Sequence, residues 1–121
     1  MQNETEEKVL QALGLCARAR GLIIGTPMVL EAMRGRSCPR LVLSAADNAQ
    51  NTEKKLTDKC TYYGVRLEHL ACDGERLAAA IGKHRRVAAV AVSDENLCRL
   101  VQRALNEHKK YNEGFGERCG S

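Results

Sequence analysis

The chain has 121 residues, enough for one domain with its own hydrophobic core. Aromatic residues make up only 3% of it and tryptophan is absent, which argues against an RNA-binding surface made of stacked aromatic rings. The formal net charge is +4, and basic residues are concentrated between Lys8 and Arg40 and in Lys83-His84-Arg85-Arg86. Such clusters fit a nucleic-acid partner, although they also occur on ordinary solvated faces.

Six cysteines are too widely separated to make the CxxC pairs of a zinc ribbon or a thioredoxin-like site. Most of them fall within apolar patterns, where a free cysteine behaves as a small hydrophobic residue. We therefore expect reduced thiols and a cytoplasmic protein. The N-terminus does not resemble a signal peptide, and no apolar run approaches membrane-spanning length, so we expect no membrane partner. The cysteines are Cys16, Cys38, Cys60, Cys72, Cys98 and Cys119.

The N-terminal quarter predicts a helix followed by a short strand. Residues 4–17 carry apolar side chains at helical spacing, and residues 18–21 have the basic and glycine composition of a helix end. Leu22-Ile23-Ile24 is short and apolar, which indicates a brief strand directly before Gly25.

Residues 25–35 predict a turn, a helix and the end of that helix. Gly25 can take a strained turn conformation, Thr26 is predicted as the N-cap, and Pro27 falls at the first helical position. Glu31 and Arg34 share the outward face with Pro27. Free amides at a helix N-terminus suit a phosphate or a base edge, whereas the alternative is a turn that only reverses the chain.

The middle of the chain predicts two strands around a third helix. Residues 41–43 form an apolar strand after Cys38-Pro39, and residues 65–70 form the second strand. Asn51 or Thr52 is expected to cap the helix between them, and Gly64 to end it.

The last third predicts two helices around a fully buried strand. Asp73 caps the first helix, Gly82 stops it, and residues 87–92 are continuously apolar, as in a strand covered on both faces. Ser93 or Asp94 caps the final helix. Its predicted core stripe consists of Leu97, Leu100, Val101, Ala104 and Leu105.

Alternation of helices and strands predicts an α/β protein, specifically a three-layer α/β/α sandwich with a small mixed sheet of about four strands. We expect a single domain over residues 1–108 and a flexible C-terminal tail over 109–121, because the sequence is polar from His108 on. Nothing in the pattern indicates a repeat or a linker.

The sequence carries no recognisable catalytic arrangement. It has no P-loop and no dinucleotide glycine fingerprint, and His69, His84 and His108 lack metal-ligand spacing. We therefore expect no enzymatic activity, no cofactor and no metal. Two elements are expected to meet at one edge of the sheet: the Gly25 turn and the loop of residues 82–87. Together they would make an anion-binding surface.

Several segments, in order, resemble the kink-turn RNA-binding ribosomal protein family of archaeal large subunits (the L-seven-Ae family), and more closely its bacterial YlxQ/YbxF-type branch. They are Leu13-Gly14-Leu15-Cys16-Ala17-Arg18-Ala19-Arg20, the Gly25 turn with its helix, residues 41–47, residues 51–63, and Ile81-Gly82-Lys83 followed by Arg86-Val87. The resemblance covers roughly residues 5–105. It implies a monomeric, ribosomal or ribosome-associated protein that binds kink-turns in RNA.

In that family the turn and helix equivalent to residues 25–35 read sheared G·A pairs, and the loop equivalent to 82–89 packs on a flipped-out nucleotide. The resemblance and the two predicted elements together give the candidate RNA-binding residues Gly25, Thr26, Pro27, Met28, Glu31, Arg34, Lys83, His84, Arg85, Arg86, Val87 and Ala88.

This chain departs from the archaeal pattern at the residues that read bases. Pro27-Met28 replace Asn-Glu, and Glu31 replaces a lysine. Neither Pro27 nor Met28 can make polar side-chain contacts with base edges, so general RNA binding is expected more firmly than kink-turn specificity. Two alternatives stay open: a protein-binding scaffold of the same fold with a weakened RNA face, and a small-ligand enzyme.

Overall fold

A computed structural model describes the backbone over residues 3–35 and 38–112 and the side chains over 6–35 and 38–106. Within these residues it contains five helices and four strands. In chain order they are α1 (Asn3–Arg18), β1 (Leu22–Ile24), α2 (Thr26–Met33), β2 (Leu41–Ser44), α3 (Gln50–Tyr63), β3 (Arg66–His69), α4 (Gly74–Ala80), β4 (Ala89–Val92) and α5 (Glu95–Asn112).

The four strands form one mixed sheet in the order β1-β4-β2-β3. Strand β4 runs antiparallel to both of its neighbours, with Ala91 opposite Ile23 on β1 and Val42 on β2, while β2 and β3 are parallel. Strands β1, β2 and β3 therefore end at the same edge of the sheet, where β4 begins. The Gly25 turn and the loop before β4 are both attached to this edge.

Helices cover both faces of the sheet, which confirms the predicted three-layer sandwich. Helices α1, α4 and α5 pack on one face around Leu13, Leu43 and Val101. Helices α2 and α3 pack on the other around Met33 and Leu56. All residues of β2 and β4 are buried, as expected for strands that are covered on both sides.

Acidic side chains cap two helices as predicted. Asp73 accepts a hydrogen bond from the Arg76 amide at 2.8 Å. Asp94, rather than Ser93, caps α5, because its carboxylate accepts from the amide of Asn96 at 2.8 Å. These bonds satisfy amides that have no partner within the helix.

The start of α3 was predicted wrongly. The helix begins at Gln50 after Ala49, so neither Asn51 nor Thr52 lies at the N-cap. The Asn48 side chain donates to Glu53 Oε2 at 2.9 Å and so fastens the first turn from further upstream. The predicted end is confirmed, because Gly64 has φ 70°, a left-handed conformation that favours glycine.

Strand β4 is shorter than the apolar run 87–92 suggested. It begins at Ala89 because the Val87 amide donates to the Gly74 carbonyl at 3.1 Å, away from the sheet. Strand β3 is likewise one residue shorter at each end than the predicted 65–70. Because β4 begins at Ala89, Val87 and Ala88 belong to the loop before it and not to the strand that was predicted for them.

Helix α5 differs from its prediction in its core stripe and its length. Leu100 is 37% exposed, and Cys98 is buried in the stripe instead. The helix continues to Asn112, beyond the expected domain end at residue 108. Residues 113–121 lie outside the described part of the chain, so the tail stays a prediction.

Burial makes three of the described cysteines poor nucleophiles. The five described cysteines, Cys119 lying outside the described residues, form no disulfide. Desolvation raises the pKa of Cys16, Cys60 and Cys72 to about 11. These thiols stay protonated near neutral pH. No helix in the described part of the chain combines the length and apolar character needed to cross a bilayer.

Candidate nucleic-acid interface

An open groove of ≈ 560 Å³ lies between the β1–α2 turn and the loop before β4. We call it the Gly25 groove. Its lining consists of Ile24, Gly25, Thr26, Pro27, Lys83, His84, Arg85, Arg86, Val87 and Ala88. Because β1 and β4 are neighbours, the turn after one and the loop before the other must lie side by side. The composite surface expected from the sequence is therefore present.

Gly25 joins the two walls of the groove. Its amide donates to the Ala89 carbonyl at 2.9 Å, one residue beyond the β1–β4 pairing. Its φ of 98° lies in a region that is strained for residues with a Cβ, which accounts for glycine at this position.

Gly25, and not Thr26 as predicted, is the N-cap of α2. The Val29 amide donates to the Gly25 carbonyl at 2.9 Å, and Pro27 is consequently the second helical residue. Thr26 Oγ1 is buried and has no hydrogen-bond partner among the described residues. Since no side chain of the described residues caps α2, the first turn keeps amides available for an acceptor.

Arg86 holds the loop wall of the groove in place. Its Nη2 donates to Asp47 Oδ1 at 2.7 Å, to the Asp47 carbonyl at 2.9 Å and to Asn48 Oδ1 at 3.0 Å. The guanidinium, helped by a hydrogen bond from the Gly74 amide, lowers the pKa of the Asp47 carboxyl. Arg86 therefore ties the loop before β4 to the loop after β2.

We call the bonds from Arg86 to Asp47 and Asn48 the Asp47 clamp, and two further contacts complete it. The Asn48 side chain donates to the Ala88 carbonyl at 3.0 Å, and Asp47 Oδ1 accepts from the Gly74 amide at 2.9 Å. Gly74 has no room for a side chain, because a Cβ there would lie 2.5 Å from Cγ of Arg86. The loop is thus fastened to both β2 and α4.

The clamp is itself connected to the end of β3. Glu53, which accepts from Asn48, also lies 3.3 Å from His69 Nδ1. Ser44 Oγ lies 3.1 Å from the same nitrogen. A line of polar contacts therefore runs across the sheet edge from β3 to the groove.

The other three polar side chains of the loop are unpaired. Lys83, His84 and Arg85 are exposed, and within the described residues their side chains make no hydrogen bond or ion pair. The charges of Lys83 and Arg85 are therefore available to an anionic ligand, whereas Arg86 is already neutralised by Asp47. Arg86 is thus paired within the protein, whereas its neighbours Lys83, His84 and Arg85 are open to a ligand.

The structure brings nine of the twelve candidate residues to the Gly25 groove. The other three, Met28, Glu31 and Arg34, lie on the exposed face of α2. Glu31 and Arg34 form an ion pair at 3.8 Å. Sequence reasoning missed Ile24 and the clamp residues Asp47, Asn48 and Gly74. The Asp47–Asn48 pair, three residues after the end of a buried strand, was the available signal.

Among the residues that the structure describes, no three His, Cys, Asp or Glu side chains are placed to hold a metal ion. The site instead combines a helix N-terminus with unpaired cations. These features define an α/β/α protein with a groove at the end of its sheet that combines a helix N-terminus with basic side chains.

Residues 7–102 match the model of the Ribosomal protein L7Ae/L30e/S12e/Gadd45 family, and the chain belongs to this family. It is 41% identical over 83 residues to the RNA-binding protein YlxQ of Bacillus subtilis (strain 168), covering 69% of this chain and 80% of that protein. It is 32% identical over 90 residues to the RNA-binding protein YlxQ of Enterococcus faecium, covering 74% and 85%. The predicted family and its YlxQ branch are confirmed.

Solved structures share the architecture. A protein with unknown function from Bacillus halodurans C superposes with a TM-score of 0.73 at 35% identity, covering 82% of this chain and 97% of that one. The Giardia lamblia 15.5kD RNA binding protein superposes with a TM-score of 0.71 at 19% identity, covering 88% of each chain. The second similarity is one of fold.

Proposed function

We propose that the protein binds structured RNA through the Gly25 groove, as a monomeric ribosomal or ribosome-associated protein without catalytic activity. The observation that carries the proposal is the junction of a helix N-terminus that has no side-chain cap with the unpaired basic side chains of Lys83 and Arg85. The two YlxQ relatives are RNA-binding proteins, which supports RNA as the polyanion.

The walls of the groove suit different parts of a nucleotide. The backbone amides of the first turn of α2 can donate to a phosphate or to acceptors on a base edge. Ile24, Pro27 and Val87 add apolar lining against which an extruded base could pack. Lys83 and Arg85 would contact the flanking phosphates, since each is exposed and unpaired.

A kink-turn is the preferred form of RNA in this proposal. Kinked RNA exposes base edges and a splayed nucleotide, whereas an A-form duplex offers chiefly its shallow groove and backbone. Pro27 and Met28 supply no polar side chain for base edges. Recognition would therefore depend on the backbone amides and on the shape of the groove.

The test is a titration of a kink-turn hairpin and of a plain duplex of equal length at one moderate salt concentration. We expect the hairpin to bind roughly tenfold more tightly, equivalent to about 1.4 kcal/mol. Equal weak affinities would contradict kink-turn recognition and leave general RNA binding. No salt-dependent binding to either RNA would favour the protein-binding scaffold.

A further inference from the structure

A second open groove, of ≈ 590 Å³, lies at the opposite edge of the sheet, where β2 and β3 begin and β4 ends. We call it the Tyr63 groove. Arg40, Tyr63 and Gly64 are part of its lining. Arg40 is exposed, and its guanidinium has no hydrogen bond or ion pair with another described residue. The groove therefore combines an aromatic ring with an available cation.

Tyr62 stands at the margin of this groove. Its ring centroid is 4.8 Å from that of Tyr63, with the two ring planes at 89°. Tyr62 is nevertheless 77% exposed, more than any other large hydrophobic residue in the described part of the chain. A ring this open contributes little to the core, so its apolar surface is available to a ligand.

Two lysines extend this surface along α3. Lys55, Lys59 and Tyr62 are spaced at i, i+4 and i+7, so they share one exposed face of the helix. Neither of these lysines is paired with another described residue, whereas the adjacent Lys54 donates to Asp58 Oδ2 at 3.1 Å. The face thus carries positive charge that the protein itself does not neutralise.

This face connects the two ends of the molecule. Helix α3 begins three residues after Asp47, beside the Gly25 groove, and ends at Tyr63. Its 14 residues span about 21 Å at 1.5 Å per residue. A polymer held in the Gly25 groove could therefore continue along α3 to the Tyr63 groove.

We propose that Lys55, Lys59, Tyr62, Tyr63 and Arg40 form a second nucleic-acid surface that binds a single-stranded segment of RNA. The lysines and Arg40 contact phosphates, and an unpaired base stacks on Tyr62. A single strand is required because the base faces in a duplex are covered by their neighbours. Lysine is depleted in protein–protein interfaces, so the charged face fits RNA better than a protein. The proposal rests on the proposed function only in taking RNA as the polymer.

The experiment measures binding of a fluorescent oligouridylate over a series of salt concentrations. Tyr62→Ala is expected to weaken binding roughly fivefold or more, because one stacked base is lost. Tyr62→Phe keeps the ring and should bind as the wild type does. Since these side chains are exposed, the variants should fold, and thermal midpoints verify this.

A matched pair of variants tests the charges on α3. Replacing Lys55 and Lys59 by Gln should lower the slope of log affinity against log salt by about 0.7 per lysine. Lys54→Gln removes one charge from a paired position on the same helix and should leave the slope unchanged. A loss per removed charge that is equal in the two variants would overturn the assignment, since it would reflect net charge alone.

A kink-turn hairpin without single-stranded ends separates the two surfaces. Variants of the second surface should bind this hairpin as the wild type does. Binding of the hairpin together with oligouridylate binding that is indifferent to Tyr62→Ala overturns the second surface, favours a protein-docking face, and leaves the proposed function intact. Tyr62-dependent oligouridylate binding without preference for the hairpin supports the second surface and contradicts kink-turn recognition.

Discussion

The two walls of the Gly25 groove are held in place by different means. The wall at the β1–α2 turn depends on backbone geometry: Gly25 has φ 98°, its amide is bonded to Ala89, and the side chain of Pro27 carries no charge. The loop wall is held by side chains, chiefly the bonds from Arg86 to Asp47. One wall presents amides and the other presents cations.

The loop wall also shows that adjacent basic residues need not share a role. Arg85 is unpaired, whereas Arg86 is bonded to Asp47 and Asn48 on another loop. A basic run in the sequence therefore overstates the number of cations that a ligand can use. Measurements that separate binding from stability can distinguish the two arginines.

The largest expected effect separates Arg85 from Arg86. Arg85→Gln should lower the slope of log RNA affinity against log salt by about 0.9, the value for one phosphate contact in a duplex. It should leave the thermal midpoint unchanged, because the side chain makes no hydrogen bond or ion pair with the described residues. Arg86→Gln should lower the thermal midpoint by several degrees and weaken binding through a displaced loop, with a smaller change in salt slope.

Both variants lose the same charge, so each controls for the other. Similar salt slopes with unchanged midpoints would mean that Arg86 is an ordinary phosphate contact and that the Asp47 clamp is dispensable.

The next effect concerns pH. The Asp47 pKa is lowered in the folded state, so its ionised form adds stability above the unfolded pKa. That contribution disappears as pH falls from about 3.9, the ordinary aspartate value, towards the lower folded pKa. The difference in thermal midpoint between wild type and Asp47→Asn should be constant near neutral pH and shrink below about pH 4. A difference that does not vary with pH would exclude an ionic role for Asp47.

The smallest effect tests whether the exposed face of α2, outside the Gly25 groove, approaches RNA. Glu31 lies on the exposed face of α2, paired with Arg34. If this face approaches RNA, Glu31→Lys should tighten binding several-fold and steepen its salt dependence, because a repulsive charge becomes attractive. Loss of the exposed ion pair should cost only ~0.3–0.5 kcal/mol of stability. Unchanged RNA affinity would place the RNA away from α2.

Local signals predicted most elements, because helix ends and buried strands depend on neighbouring residues. Asp73, Asp94 and Gly64 were interpreted correctly from position alone. The two elements of the groove could also be predicted to meet, since both belong to one edge of the sheet. The unpredicted parts depend on residues far apart in the chain.

The Asp47 clamp is the clearest example of a feature that the sequence did not predict. Arg86 and Asp47 are separated by 39 positions, so no local pattern links them. The start of β4 was misplaced for the same reason, because the Val87 amide is diverted by Gly74 on α4. The apolar side chains of Val87 and Ala88 favour a strand when the sequence is considered alone. Their tertiary hydrogen bonds instead make them loop residues that line the groove.

The position of β4 has a consequence for how the protein is made. Strand β4 lies between β1 and β2, although it is the last strand in the chain. During synthesis β1 has no neighbour in the sheet until residues 89–92 have emerged, and β2 can pair only with β3. The two walls of the Gly25 groove, one joined to β1 and the other to β4, first meet at that stage. A nascent chain therefore acquires this groove only after residue 92 has been translated.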